Sequence, residues 1–177
     1  MELSVVIPLL NESESLEELH QWISASLDAN QYLYEIIFID DGSTDNSWEI
    51  INELAEKNTN THGIQFSKNF GKSQALHAGF KATKGDYIIT MDADLSHNPK
   101  LLNRFIINLN QNEFVIGSRY IKGGSCEINF FRFLLSFFGN KFIRFMLQIP
   151  SNEFTTSYRG FNLDRLKGFS LNDINSK

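Results

Sequence analysis

Two carboxylates stand one residue apart in the stretch ITMDADLSHNPK, where Asp92 and Asp94 follow an apolar run and precede a helix-like segment. Residues two positions apart project from the same side of an extended chain, so if strand geometry persists the pair can approach one ion while Ala93 points away. No cysteine or histidine pair lies near them. That donor set suits a hard divalent cation, Mg2+ or Mn2+, which keeps waters and shares its remaining positions with substrate phosphates. Bound there, such an ion stabilises negative charge on a departing nucleoside diphosphate as a Lewis acid, not as a water activator. His97 reads equally as a catalytic neighbour and as a polar residue in the turn before Pro99.

The elements that must position this pair alternate along the chain. Strand-length apolar runs recur at 3–8, 34–39, 63–67, 86–91 and 113–117. Helical patterns separate them. Asn11 and Glu14 have capping-box spacing ahead of Leu16, Leu19, Ile23 and Leu27, and Asp45 or Asn46 caps a second segment with Ile50, Ile51 and Leu54 inward. KSQALHAGFKAT and PKLLNRFIINL supply two more, the latter with Pro99 in its first turn. Strands alternating with helices predict an α/β fold with a mainly parallel central sheet and helices on both faces. Ligands of such sheets bind beyond the carboxyl ends of the strands. Polar clusters stand at each predicted end: Asn11–Glu12, Asp40–Ser43, Lys68–Lys72, Asp92–Asp94 and Ser118–Tyr120. Taken singly, each is also an ordinary turn composition.

Several function classes are excluded or disfavoured. With 16 basic and 21 acidic residues the net charge is -5, the wrong sign for a general nucleic-acid binder. No GxGxxG follows the first strand, and the GKS at 71–73 lacks the P-loop glycine because position 66 is Phe. Lys72 reads either as an anion contact or as a solvated first-turn lysine. A phospho-receiver arrangement using Asp40 and Asp41 leaves the DAD triplet unexplained. A single cysteine, Cys126, and a start without a basic, cleavable leader point to a cytoplasmic setting. At 177 residues and 42% hydrophobic content, one domain over 1–177 is expected.

The ordered set VVIPLLNE, YEIIFIDDGSTDNS, NFGKSQALHAGF, GDYIITMDADLSHNPK and GSRYIKGG resembles the family 2 glycosyltransferases of the GT-A fold. Within them it is similar to dolichol-phosphate mannosyltransferases and bacterial polyprenyl-phosphate sugar transferases. The resemblance implies a Rossmann-like nucleotide-diphospho-sugar transferase fold and inverting transfer of a hexose, mannose or glucose, from a GDP- or UDP-sugar to polyprenyl or dolichyl phosphate. It implies that Pro8, Glu12, Asp40 or Asp41, Asp92 and Ala93 line the nucleotide. Asp94 becomes the principal metal ligand and a catalytic residue, with Asp92 assisting and Ser96 near a third ligand position. Arg119, Arg132 and Ser136 fall at positions that hold the acceptor phosphate, the two arginines also counting as catalytic. A lipid phosphate is already an anion near neutral pH and attacks without a general base. Metal stabilisation of the leaving group and in-line positioning then carry the catalysis. Two alternatives stand beside this reading: a family 2 transferase acting on a saccharide hydroxyl, which needs an Asp or Glu base, and a nucleotide-binding form without turnover.

Residues 129–150, NFFRFLLSFFGNKFIRFMLQIP, hold seven of the 16 phenylalanines but are too interrupted by charge to span a bilayer. Arg132, Ser136, Asn140 and Arg144 recur every four residues, forming a polar stripe on an otherwise apolar helix. Composition alone fits a packed helix with snorkelling basic ends. The resemblance instead implies a helix in the membrane interface, with the protein peripheral on the cytoplasmic face and open to a membrane-anchoring subunit. It divides the chain into a nucleotide-sugar and metal part, about 1–125, and an acceptor and membrane-interface part, about 126–177. Glycines 123 and 124 mark a candidate loop near that boundary. The segment NEFTTSYRG places Glu153, Thr155, Ser157, Tyr158 and Arg159 on an acceptor-side family motif, and relatives are expected to continue beyond Lys177.

Overall fold

The computed structural model describes residues 2–118 and 156–166, with positions 138, 139, 141–143, 146 and 148 between them. Seven-residue strands β1 (Leu3–Leu9) and β2 (Tyr34–Asp40) are buried along their whole length. A strand buried on both faces must be apolar at nearly every position, which is how these two runs read. Strands β3 (Thr61–Gln65), β4 (Tyr87–Thr90), β5 (Phe114–Ile116) and β6 (Arg159–Asn162) complete one six-stranded sheet. Its order is β3-β2-β1-β4-β6-β5. The first four strands are mutually parallel, whereas β6 runs antiparallel to both neighbours.

The period of two divides the core. Val5 and Ile7 of β1, with Ile36 and Phe38 of β2, face the apolar sides of helices α1 (Leu16–Asp28), α2 (Ser47–Lys57) and α4 (Leu102–Leu109). Val6, Ile37 and Ile39 point the other way, onto α3 (Lys72–Ala82). Helices therefore cover both faces, as the alternation predicts. α3 comes close because its buried residues are Ala75 and Gly79. A Cβ at Gly79 would lie 2.5 Å from Val6 Cγ1 and 2.8 Å from Ile39 Cδ1.

Two local expectations fail. The Asn11–Glu14 capping box does not form: α1 starts at Leu16, with Ser15 at its N-cap. Asn11 is left-handed (φ 57°) and its Oδ1 accepts the Thr44 N–H at 2.8 Å, so a tertiary contact takes the oxygen that the cap required. Strand β4 stops at Thr90, so extended geometry does not carry through to Asp94. Strand β6 was not among the predicted runs, being four residues with a glycine inside, RGFN. At the second helix Asn46 takes the N-cap position without a side-chain cap bond, and Asp45 just before it closes the entry turn, its Oδ1 accepting the Ser47 N–H at 3.0 Å.

β1 lies between β2 and β4, so the connections leave it in opposite directions. A crevice at the carboxyl edge of β1 and β4 follows from that reversal.

Candidate functional site

A cleft of about 380 Å³ opens at that crevice. Its walls come from four strand ends: Pro8 and Leu9 at the end of β1 with Leu10 and Glu12 beyond it, Asp41 after β2, Asn69, Gly71 and Lys72 after β3, and Asp92 to Asp94 after β4. The fifth predicted cluster contributes Ser118 to the described residues, and Arg119 and Tyr120 lie outside them. Arg132, Ser136, Asn140, Arg144, Cys126, Glu153 and Thr155 also lie outside the described residues.

The floor is built by interlocked turns. Asn11 N–H donates to Ser43 Oγ (2.9 Å), Glu12 N–H to Ser47 Oγ (3.0 Å) and Ser13 N–H to Asp45 Oδ2 (3.1 Å). The turns after β1 and β2 thus hold each other, and Glu12 is set on the cleft wall. Asp40 and Asp41, which the sequence left as alternatives, have separate places. Asp40 is fully buried beneath the turn, where Oδ1 accepts the Ser43 N–H at 2.8 Å. Asp40 Oδ2 has no hydrogen-bond partner among the described residues. Asp41 reaches the cleft, and its two oxygens accept the N–H groups of Phe70 (2.8 Å) and Gly71 (2.9 Å). One carboxylate therefore fixes the loop that delivers Lys72.

Asp92 and Asp94 meet in the cleft by way of a turn, not strand alternation. Leu95 is left-handed (φ 60°), and Ser96 N–H donates to Asp94 Oδ1 at 3.1 Å. Asp94 is exposed, and Oδ2 has no hydrogen bond among the described residues. Ser96 contributes its backbone to Asp94; its side chain is exposed and does not line the cleft. Asp92 is held more closely. Lys72 Nζ donates to Oδ1, Ser157 Oγ donates to Oδ2, and the Asp92 N–H donates to His97 Nδ1 at 3.0 Å. Burial pushes the Asp92 carboxyl up, but the hydrogen bonds from Lys72 and Ser157 and the positive charge of Lys72 outweigh it and hold the group below the ordinary aspartate value. His97 thus acts as a support in the turn, stacked on Tyr158 with ring centroids 4.8 Å apart.

The donor chemistry fits a hard cation. Among the described residues lining the cleft, Glu12, Asp41, Asp92 and Asp94 face one ammonium, Lys72. Burial, and then the charges of Asp94, Asp45 and Asp92, raise the Glu12 carboxyl above its ordinary value, the signature of an acid-rich space. No group of three or more His, Cys, Asp or Glu forms a ready metal cage among the described residues. An ion sharing its coordination between one or two aspartates and substrate phosphates matches that set, with Asp94 the carboxylate free to turn to it.

The sequence missed the supports from afar. Ser157 and Tyr158 are more than 60 residues from the aspartates, and their only signal was the family-like motif around them. A first-turn lysine carries no local mark of its partner, so the sequence does not specify the contact between Lys72 and Asp92.

A family model described as Glycosyl transferase family 2 matches residues 4–167. The dolichol-phosphate mannosyltransferase of Pyrococcus furiosus is 42% identical over 138 residues, covering 77% of this chain and 38% of that protein. The undecaprenyl-phosphate 4-deoxy-4-formamido-L-arabinose transferase of Edwardsiella ictaluri is 40% identical over 116 residues, 65% of this chain and 36% of that protein. The chain spans less than half the length of these relatives. Glucosyl-3-phosphoglycerate synthase of Mycobacterium tuberculosis, solved with Mn2+, UDP and phosphoglyceric acid, has a TM-score of 0.68 and 21% identity. That match covers 92% of this chain and 56% of the other and is a likeness of fold.

Proposed function

The chain belongs to glycosyl transferase family 2, and from that premise we propose that it carries the donor side of an inverting sugar transfer from a nucleoside-diphosphate sugar to a polyprenyl or dolichyl phosphate. The observation that carries the reading is the acid-rich cleft at the β1/β4 crevice, where Asp92 and Asp94 meet Lys72. Relatives at 40–42% identity bear the names of dolichol-phosphate and undecaprenyl-phosphate transferases, which supports a lipid-phosphate acceptor.

In this reading Pro8, Glu12, Asp41 and Ala93 line the nucleotide, and Asp40 supports the turn beneath it. Asp94, with Asp92 assisting and Ser96 beside it, holds a divalent cation; the neighbouring synthase solved with Mn2+ supports the class of ion. When bound, the cation supplies charge stabilisation to the leaving diphosphate. Lys72 adds a mobile positive charge on the same wall. Arg119, Arg132 and Ser136 are assigned to the acceptor phosphate, whose oxygen attacks without a protein base. Paired arginine donors orient that phosphate without neutralising the attacking oxygen.

Residues from 126 onward are assigned to the acceptor and membrane side. The described positions Phe138, Phe142 and Met146 are helical, four residues apart and exposed, which supports an apolar helix face turned to the membrane interface. No helix among the described residues is long and apolar enough to cross a membrane. Peripheral attachment at the cytoplasmic face, directly or through an anchoring subunit, fits that pattern.

The test incubates the chain with Mg2+ or Mn2+, a short polyprenyl phosphate and a panel of GDP- and UDP-sugars, with lipid-linked sugar detected by mass. Product from one donor is expected, and Asp94→Asn should abolish it while leaving the melting transition in place. Transfer to a saccharide hydroxyl, metal-dependent nucleotide binding without product, or near-normal turnover of Asp94→Asn would each overturn the corresponding part.

A further inference from the structure

We propose that Ser157 is a positioning residue for the aspartate pair, placed there by the register of β4 and β6; the proposal rests on the donor-site reading above. In this antiparallel pair Tyr87 stands opposite Asn162 and Thr90 opposite Arg159. Continued two residues past the ladder, the same register sets Asp92 directly opposite Ser157. Thr90 Oγ1 donates to the Ser157 carbonyl at 2.5 Å, which keeps the two chains together beyond the last ladder pair. Ser157 Oγ then donates to Asp92 Oδ2.

The next residue holds the other half of Asp92. Tyr158 is buried, its ring stacked between His97 (4.8 Å) and Phe105 (4.4 Å), and its hydroxyl donates to the Asn98 carbonyl at 3.2 Å. His97 Nδ1 in turn accepts the Asp92 N–H. Ser157 therefore fixes the side chain of Asp92, and Tyr158 fixes its main chain through His97. With Oδ2 taken by Ser157 and facing His97 Nε2 at 3.9 Å, Oδ1 is the oxygen that can exchange Lys72 for a cation. A hydroxyl that orients a ligand carboxylate is worth about 10- to 100-fold in metal affinity.

The experiment measures Mn2+ binding to the whole chain, without nucleotide or lipid, for wild type, Ser157→Ala, Asp94→Asn and the isosteric pair Ser157→Thr and Ser157→Val. About tenfold weaker binding is expected for Ser157→Ala and Ser157→Val, with Ser157→Thr close to wild type. Equal affinities in Ser157→Thr and Ser157→Val overturn the proposal even if Ser157→Ala fails to fold. Wild-type binding that survives Asp94→Asn overturns the donor-site reading instead; where the wild type binds no Mn2+ alone the series is repeated with UDP or GDP present, whose phosphates complete the coordination, and a wild type that binds none in either case overturns both.

Discussion

Gly42 and Gly71 offer a matched pair of perturbations at the cleft. Both have positive φ, 79° and 93°, so a side chain at either forces a conformation that L-residues avoid at about 1–3 kcal/mol. Their surroundings differ. A Cβ at Gly71 would meet nothing within 4 Å, whereas one at Gly42 would lie 2.7 Å from Asn69 N and Lys68 Cα, and closer still to the Lys68 carbonyl carbon. Those atoms are backbone and cannot swing aside, so overpacking adds about 1–3 kcal/mol at Gly42 alone. Gly42→Ala is therefore expected to lose about 2–6 kcal/mol and Gly71→Ala about 1–3 kcal/mol. In urea, with a slope of about 1–3 kcal/mol per molar, the two midpoints should separate by about 1 M. The same clash pushes on the loop carrying Asn69, Gly71 and Lys72, so Gly42→Ala should also weaken nucleotide binding at temperatures where it remains folded. Equal midpoints for the two variants would refute the claim that the turn after β2 is packed against this loop.

Lys72→Met removes the ammonium from Asp92, so Mn2+ binding without nucleotide should tighten while UDP or GDP binding weakens about tenfold; calorimetric titration separates the two, and parallel weakening of both would count against exchange at Oδ1. Asp45, raised by burial but lowered further by hydrogen bonds from Ser47 and Ser13, is held at about 2. A carboxyl with a depressed folded value contributes stability that is whole above the ordinary value of 3.8 and is lost as pH falls toward about 2. Asp45→Asn should cost about 1 kcal/mol near neutral pH and flatten the urea midpoint across that acid window, and an unchanged acid slope would contradict the turn-closing role of its bonds to Ser13 and Ser47. Phe38→Ala, at a fully buried position in β2, should destabilise by about 3–5 kcal/mol in the same denaturation assay, a loss below 1 kcal/mol being incompatible with the packed core.

What could be read from the chain beforehand divides along physical lines. β1 and β2 are legible because a strand buried on both faces has to be apolar throughout, and α1 because Leu16, Leu19, Ile23 and Leu27 recur at helical intervals. Strand β6 is not, because its pairing is decided by β4 and β5 on either side and its own four residues carry little apolar signal. Asn11 with Glu14 satisfied a local rule and was overruled by a partner 33 residues away, Thr44. At the site, clusters following strand ends could be anticipated because topology brings such ends together. Asp40 against Asp41 could not be resolved, since consecutive residues at a strand end differ only in which side of the turn they face. The supports Lys72, Ser157 and Tyr158 depend on contacts between distant segments.

The antiparallel setting of β6 explains how a late segment comes to serve an early site. In β1, β2, β3 and β4 the carboxyl ends lie on one edge, so each following loop enters the cleft as a matter of topology. A parallel β6 would bring its preceding residues in at the opposite edge of the sheet. Reversed, it starts where β4 ends, with Arg159 beside Thr90, and Thr156 to Tyr158, which lead into it, lie alongside the residues that follow β4. Arg159 Nε donates to the Thr156 carbonyl at 2.8 Å, and Tyr158 N–H donates to Thr156 Oγ1 at 3.2 Å, which tightens that lead-in as it passes Asp92. The strand direction that interrupts the parallel sheet is therefore the one that brings Ser157, far along the chain, onto the carboxylate of Asp92.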